Sequence, residues 1–227
     1  MLISAANLAK LRASHVFVAG LGGVGAYAAE MLCRAGVGRL TIVDGDTVQP
    51  SNRNRQLLAL CSNEGRPKTE IMAERLHDIN PHVQIETISE YIQDERLIEI
   101  VSRSYDYVVD AIDTLSPKTF LLYYALKNNL RIVSSMGAGG KLDPLQVRID
   151  DISKTYNCRL AYELRKRLRK LGVTTGINAV FSTEQINKEL VIPCNEPNKR
   201  SVVGTISYMP AMFGCMCASV VINGLID

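Results

Sequence analysis

The chain has 227 residues, 47% of them hydrophobic, with 26 basic and 23 acidic side chains and a formal net charge of +3. That length fits one domain, or one domain with a substantial extension, and the apolar content supplies a sizeable core without resembling a membrane protein. So small a net charge says nothing global about partners, which leaves local clusters to do so.

In chain order, 4–13 reads as a short helix and 15–19 as an apolar strand. Residues 22–35 follow as a helix with Val24, Ala28, Met31, Leu32 and Ala35 on one face, then 39–44 as a strand. Pro67 in a first-turn position opens a helix over 67–79. A strand at 83–88, a helix at 94–102, a strand within 105–113, a helix at 115–128 and a strand at 130–135 continue the alternation. Strands that are apolar throughout and separated by helices imply a parallel sheet covered on both faces. After Gly140 the character changes: 142–151 is strand-like, 157–172 is a basic helix, and 179–184, 189–193 and 201–208 read as strands. The expectation is an α/β chain with a Rossmann-like, doubly wound, mainly parallel sheet. Residues 1–140 form its nucleotide-binding part. Residues 141–227 form a C-terminal extension of mixed strands and helices packed on the same domain, with the basic helix at 158–171.

Residues 201–226 hold no charged side chain, which raises the question of a membrane span. Gly204, Pro210, Gly214, Asn223 and Gly224 interrupt the stretch, so a strand followed by a buried core helix is the reading, with peripheral membrane contact as the alternative. The six cysteines, Cys33, Cys61, Cys158, Cys194, Cys215 and Cys217, form no C-x-x-C pair, and no signal-peptide pattern opens the chain. Both point to a reduced, cytoplasmic protein without a structural disulfide.

Gly20, Gly22 and Gly25 form G-x-G-x-x-G between an apolar strand and a helix. There the first glycine permits the tight turn, the second lets backbone approach a phosphate, and the third permits close helix–strand packing. Asp44 ends the next strand, where a ribose-binding acid belongs. A dinucleotide site needs little more, yet the chain continues with Asp46, Asn52, Arg53, Asn54, Arg55, Gln56 and, after a gap, Lys68. Forked guanidinium groups and a compact ammonium suit a triphosphate. Asp113 follows the fourth strand, at the end of the sheet where ligands bind, and an acid beside polyphosphate suits Mg2+. A helix cap is its alternative role, and Asp110 or Thr114 compete for either. In the basic helix, Arg159, Arg165, Lys166, Arg167, Arg169 and Lys170 read as a phosphate-contacting surface or as a solvated face. Without aromatic interleaving, such a helix would position a nucleic acid rather than stack its bases.

GLGGVG at 20–25, D-x-D at 44 and 46, N-x-x-R-Q at 52–56, Lys68 and Asp113 together resemble the ubiquitin-activating-enzyme-like superfamily that includes ThiF, MoeB and HesA. The resemblance implies adenylation of a carboxylate with ATP and Mg2+. Asp44 would bind ribose, Asn52, Arg55 and Lys68 the phosphates, and Asp113 the metal, with Gln56 shaping the pocket. Arg55, Lys68 and Asp113 would be the catalytic set. Later stretches, SSMGAGGKLDP (134–144), DISKTYNC (151–158), RKRLRKLGV (165–173) and GTISYMPAMFG (204–214), are similar to the tRNA threonylcarbamoyladenosine dehydratases of that superfamily. That resemblance implies ATP-dependent cyclisation of threonylcarbamoyladenosine in tRNA and a homodimer. It also admits K+ or Na+ and a sulfur-transfer partner protein. Cys158 is read as an incidental or structural thiol. The arginine that relatives such as MoeB send across the dimer to the partner's ATP finds no match in 1–14, since Arg12 lies too close to the first strand. A MoeB-like activator of a small protein's C-terminal carboxylate is the nearest rival, although the zinc-binding C-x-x-C pairs of MoeB and ThiF homologues are missing. An NAD-dependent oxidoreductase and a non-catalytic nucleotide-sensing or sulfur-carrier interaction module stand further off.

Overall fold

The structure is a computed structural model that describes residues 3–186, 191–196 and 199–227, with the backbone alone described over 191–196 and 199–202. Strands β1 (His15–Ala19), β2 (Arg39–Val43), β3 (Gln84–Ile88), β4 (Tyr107–Asp110), β5 (Ile132–Ser135), β6 (Val147–Asp151) and β7 (Asn178–Ser182) form one seven-stranded sheet. Its order is β3–β2–β1–β4–β5–β7–β6, and every neighbouring pair is parallel except β6 with β7. The strands from the second half therefore join the first-half sheet at its β5 edge.

On β1 the alternation of side chains divides the core in two. Val16 and Val18 belong to one cluster with Leu32, Leu40 and Phe213, while Phe17 and Ala19 belong to the other with Leu97, Leu121 and Leu164. The first cluster lies under helices α1 (Ala5–Ala13), α2 (Gly25–Ala35), α3 (Lys68–Ile79) and α7 (Tyr208–Ile226). The second lies under α4 (Asp94–Val101), α5 (Leu115–Lys127) and α6 (Arg159–Lys170). Both faces of the parallel strands are thus covered, as strands without a polar face require.

The strand order reverses between β1 and β4, and the chain segments leaving those two strands diverge to opposite faces. In an open α/β sheet this leaves a crevice outside the carboxyl ends. Here Gly20 leaves β1 and Ala111 leaves β4, so close together that a Cβ on Gly20 would lie 2.9 Å from the Ala111 carbonyl oxygen.

Several elements differ from their sequence-based bounds for local reasons. Helix α2 begins at Gly25 rather than 22, because 20–24 form the connecting loop. Residues 142–146 are not strand. The Asp143 carboxylate accepts the Leu145 amide at 2.9 Å and starts a 3-10 turn at Pro144–Gln146, and β6 begins only at Val147. The expected strand at 201–208 stops at Val203, within β9 (Lys199–Val203), which pairs antiparallel with β8 (Val191–Glu196) outside the main sheet. The expected strand at 189–193 lies partly outside the described residues.

Helix α7 is long and apolar enough to cross a membrane by length and composition, and 44% of that stretch is buried inside the protein. Met209, Phe213, Cys217, Val221 and Leu225 recur every four residues as its buried stripe. Gly214 brings it against α2 so closely that a Cβ there would meet the Val24 carbonyl oxygen at 2.5 Å. Among the described side chains Cys33, Cys61, Cys158, Cys215 and Cys217 are free thiols. Cys33 is buried, its thiol donating to the Leu76 carbonyl.

Candidate active site

The loop after β1 is shaped by close backbone contact. Gly20 holds φ +90°, a conformation that favours glycine, and its amide donates to the Val43 carbonyl at 2.8 Å. A Cβ on Gly25 would sit 1.7 Å from the Gly20 carbonyl oxygen, so any side chain there forces the loop open. Helix α2 starts behind this loop with no side-chain cap, and its first amides and the positive end of its dipole face the crevice. Gln56 lies beside Gly22, its Nε2 3.8 Å from where a Cβ would be, and its buried Oε1 has no hydrogen-bond partner among the described residues. An orphaned buried polar atom beside a glycine cradle fits a ligand rather than a packed core.

Asp44 is clamped to that loop. Its Oδ2 accepts the Leu21 amide at 2.6 Å and its Oδ1 the Asp46 amide at 2.8 Å. Burial pushes its carboxyl above the ordinary carboxylate value, and the Lys68 ammonium and the two amides work against that rise. Lys68 opens α3 as a buried lysine, 2.7 Å from Asp46 Oδ2 and 3.8 Å from Asp44 Oδ1. Its ammonium is therefore held by the D-x-D pair at the rim of the crevice. Tyr91, which the sequence reading passed over, donates its hydroxyl to Asp46 Oδ1, and that bond pushes the phenol up to about 12, with burial adding to it.

The loop 50–56 packs beside the glycine loop, its Arg55 carbonyl oxygen 3.3 Å from where a Cβ of Gly23 would be. A 3-10 turn at Pro50–Asn52 is closed by the Gln49 amide donating to Asn52 Oδ1 at 3.1 Å. Arg55 Nη1 donates to the Ser51 carbonyl and to Asn54 Oδ1, which holds the guanidinium to its own turn. Asn54 Nδ2 in turn donates to the Thr205 carbonyl at 2.9 Å, and a Cβ on Gly23 would lie 2.9 Å from Pro210 Cβ. The segment 204–210 thus braces both this loop and the glycine loop. No local pattern in the sequence reports such a contact between residues 151 positions apart.

At the end of β4 the structure separates Asp110, Asp113 and Thr114 by position. Asp110 is completely buried, 2.6 Å from the Lys118 ammonium, and accepts Ser134 Oγ at 2.6 Å and the Ile112 amide at 3.1 Å. Thr114 occupies the cap position of α5 without a side-chain cap bond. Asp113 is exposed on the turn between them. No group of three or more His, Cys, Asp or Glu side chains that could hold a metal occurs among the described residues. Mg2+ beside a nucleotide is held by one or two carboxylates, phosphate oxygens and water, so a single exposed carboxylate such as Asp113 fits that donor set.

The basic helix lies away from this cluster. Arg159, Lys166, Arg167, Arg169 and Lys170 are exposed, whereas Arg165 is half-buried and donates to Thr155 Oγ1. The expectation of a surface without aromatics is corrected: Tyr162 stands exposed between Arg159 and Lys166, and Tyr156 is exposed just ahead of the helix. Tyr162 was visible in the sequence, but a buried and an exposed tyrosine read alike until the helix face is known.

The ThiF family model matches residues 1–227. The Haemophilus influenzae tRNA threonylcarbamoyladenosine dehydratase is 37% identical over 231 residues, covering 97% of this chain and 88% of that protein. The Bacillus subtilis protein of the same name is 43% identical over 178 residues, covering 78% and 70%. A crystal structure of the Escherichia coli tRNA N6-threonylcarbamoyladenosine dehydratase in complex with ATP superposes with a TM-score of 0.90 at 34% identity, covering 99% of this chain and 90% of that one. With its glycine loop, its clamped Asp44 and a family match along its whole length, the chain belongs to the ThiF family.

Proposed function

We propose that this protein is an ATP-dependent dehydratase of threonylcarbamoyladenosine in tRNA. The observation that carries the reading is the crevice at the β1–β4 reversal. There Asp44 is clamped to the glycine loop with Lys68 beside it, a combination whose chemistry suits a nucleoside triphosphate, in a chain similar over nearly its whole length to dehydratases of that name.

In the assigned reaction a carboxylate oxygen of the threonylcarbamoyl group attacks the α-phosphorus of ATP and pyrophosphate leaves. The carbamoyl nitrogen then attacks the activated acyl carbon, closes a ring and releases AMP. The net change is loss of one water from the nucleoside. Asp44 holds the ribose hydroxyls, while Asn52, Arg55 and Lys68 take the phosphates, Lys68 exchanging part of its contact with Asp46 for a phosphate oxygen. Asp113 would hold Mg2+, which would supply screening of the charge on the phosphates. Because the substrate supplies its own nucleophile, the protein's share is positioning and electrostatics, without a covalent enzyme intermediate. We further assign a homodimer to the protein, as its relatives' resemblance implied.

The test is AMP release from MgATP with tRNA carrying or lacking the threonylcarbamoyl group, with nucleoside masses read for loss of water. Modification-dependent AMP together with that loss is the expected result. AMP release that depends instead on a small protein's C-terminal carboxylate would replace this reading with the adenylyltransferase one. Asp113→Ala should abolish AMP formation in a folded protein, and unchanged AMP formation would remove Asp113 from the mechanism.

A further inference from the structure

Helix α6 carries Arg159, Arg165, Lys166, Arg167, Arg169 and Lys170 against a single acid, Glu163. Its buried side is Ala161, Leu164 and Leu168, which places Arg159, Tyr162, Lys166 and Arg169 in one stripe on the exposed side, at helical spacings of three, four and three residues. From Arg159 to Arg169 this stripe spans about 15 Å along the axis. Tyr162 is 58% exposed between the first two cations. Just ahead of the helix Tyr156 is 53% exposed, with its ring edge-on to Phe181 at 5.7 Å, so the core holds the ring while leaving much of it open.

Two observations separate this face from an ordinary solvated one. Six arginines elsewhere are neutralised: Arg34, Arg53, Arg66, Arg75, Arg96 and Arg103 each pair with a glutamate, while Arg55, Arg131 and Arg148 donate to carbonyl or amide oxygens. Among the described residues none of the α6 cations has an acidic partner. The stripe also starts beside the loop that follows β5, and that loop touches the segment bracing loop 50–56. Cys158 Sγ lies 3.6 Å from where a Cβ of Gly137 would be, and Lys141 Nζ donates to the Asn157 carbonyl at 3.1 Å. From the same loop a Cβ on Gly139 would lie 3.3 Å from Thr205 Oγ1, and the Thr205 carbonyl accepts from Asn54, next to Arg55.

We propose that the exposed face of α6 is a track for single-stranded RNA: its cations hold successive phosphates of the loop that carries the modified adenosine, and Tyr162 and Tyr156 stack on unpaired bases. The inference rests on the tRNA reading above and adds the form of RNA and the face that takes it. Cations in a row serve any polyanion, but an aromatic set between them favours unpaired bases over a duplex, whose bases are already stacked.

The experiment measures the affinity of the full chain for an unmodified anticodon stem–loop RNA, the same stem as a blunt duplex, and vesicles containing anionic lipid. It also measures the KM for tRNA in the dehydration assay. Tyr162→Ala should weaken stem–loop binding roughly 5- to 150-fold, the worth of one stacked base, and raise the KM for tRNA in step, with ATP affinity within twofold. Tyr162→Phe should restore binding. Lys166→Gln and Arg169→Gln should each flatten the salt dependence by about 0.7 in log–log slope. Stem–loop affinity that ignores Tyr162, or that equals duplex or vesicle affinity, would overturn the track. Because binding is measured on unmodified RNA, a Tyr162-dependent affinity without dehydration would uphold the track and sink the activity; dehydration indifferent to Tyr162 would do the reverse.

Discussion

Lys118 and Asp110 form an ion pair at 2.6 Å with both side chains completely buried, and both also grip Ile112: Asp110 accepts its amide while Lys118 donates to its carbonyl at 3.0 Å. Ile112 is the residue before Asp113, so this pair sets the turn on which the metal-binding carboxylate is proposed to stand. A buried pair offers little net stability over an apolar pair, but breaking it leaves a charge uncompensated. Lys118→Met should therefore destabilise the fold by about 3–5 kcal/mol, and Asp110→Asn with Lys118→Met should recover most of that loss. Urea unfolding of the cycle measures it. If the pair positions Asp113, the double variant keeps a raised KM for MgATP despite its recovered stability.

Gly25→Ala places a methyl where only 1.7 Å separates it from the Gly20 carbonyl oxygen. The loop must open, and the amides proposed to face the phosphates move with it. ATP binding by calorimetry should fall at least tenfold, about 1.4 kcal/mol, with the folded spectrum retained. ATP affinity equal to the parent's would show that the loop does not hold the phosphates.

Glu30 ties α2 to α3 through Arg75 at 2.6 Å and to its own helix through Arg34 at 2.8 Å. Burial pushes its carboxyl up, but the two arginines outweigh burial and hold it below the ordinary value. A carboxyl lowered in the folded state contributes stability above the unfolded value, and that contribution is lost as pH falls through the folded one. Glu30→Gln should cost about 2 kcal/mol at pH 7, and the gap to the parent should close as pH falls through the lowered folded value. Melting temperatures of both proteins from pH 7 to 3 check the sign; a constant gap would mean that the charge is not responsible.

Gly214→Val tests the coupling of α7 to the nucleotide loop. A Cβ at 214 would meet the Val24 carbonyl oxygen at 2.5 Å, and Pro210, one turn earlier on α7, packs on Gly23. The variant should lose about 1–3 kcal/mol from overpacking and raise the KM for ATP without changing the salt dependence of RNA binding. An unchanged KM for ATP would separate α7 from the site.

Much of the candidate site was legible because its parts are local. G-x-G-x-x-G is read by spacing alone, since each glycine answers a backbone requirement within six residues, and the apolar β1, β2, β4 and β5 announce a buried parallel sheet. The contest among Asp110, Asp113 and Thr114 was not legible, because all three lie within five residues and only burial separates them. Lys118 gave no signal either: a lysine in a helical pattern reads as surface until Asp110 is seen beneath it. Tyr91 and Thr205 reach the site from sequence-distant segments, through a hydroxyl and a carbonyl that no spacing rule detects.

The sequence by itself determined the alternation of strands and helices, the glycine loop and the ThiF-type set of polar residues, because hydrophobic period and backbone demands are written in neighbouring positions. Tertiary structure alone decided that Asp110 is structural and Asp113 exposed, that Lys68 is held by Asp44 and Asp46, and that α7 braces the glycine loop through Pro210 and Gly214. It also turned a run of basic residues into a stripe with Tyr162 between its first two cations. Burial, charge pairing and the direction of a helix face are properties of packing, and packing joins residues that the chain keeps far apart.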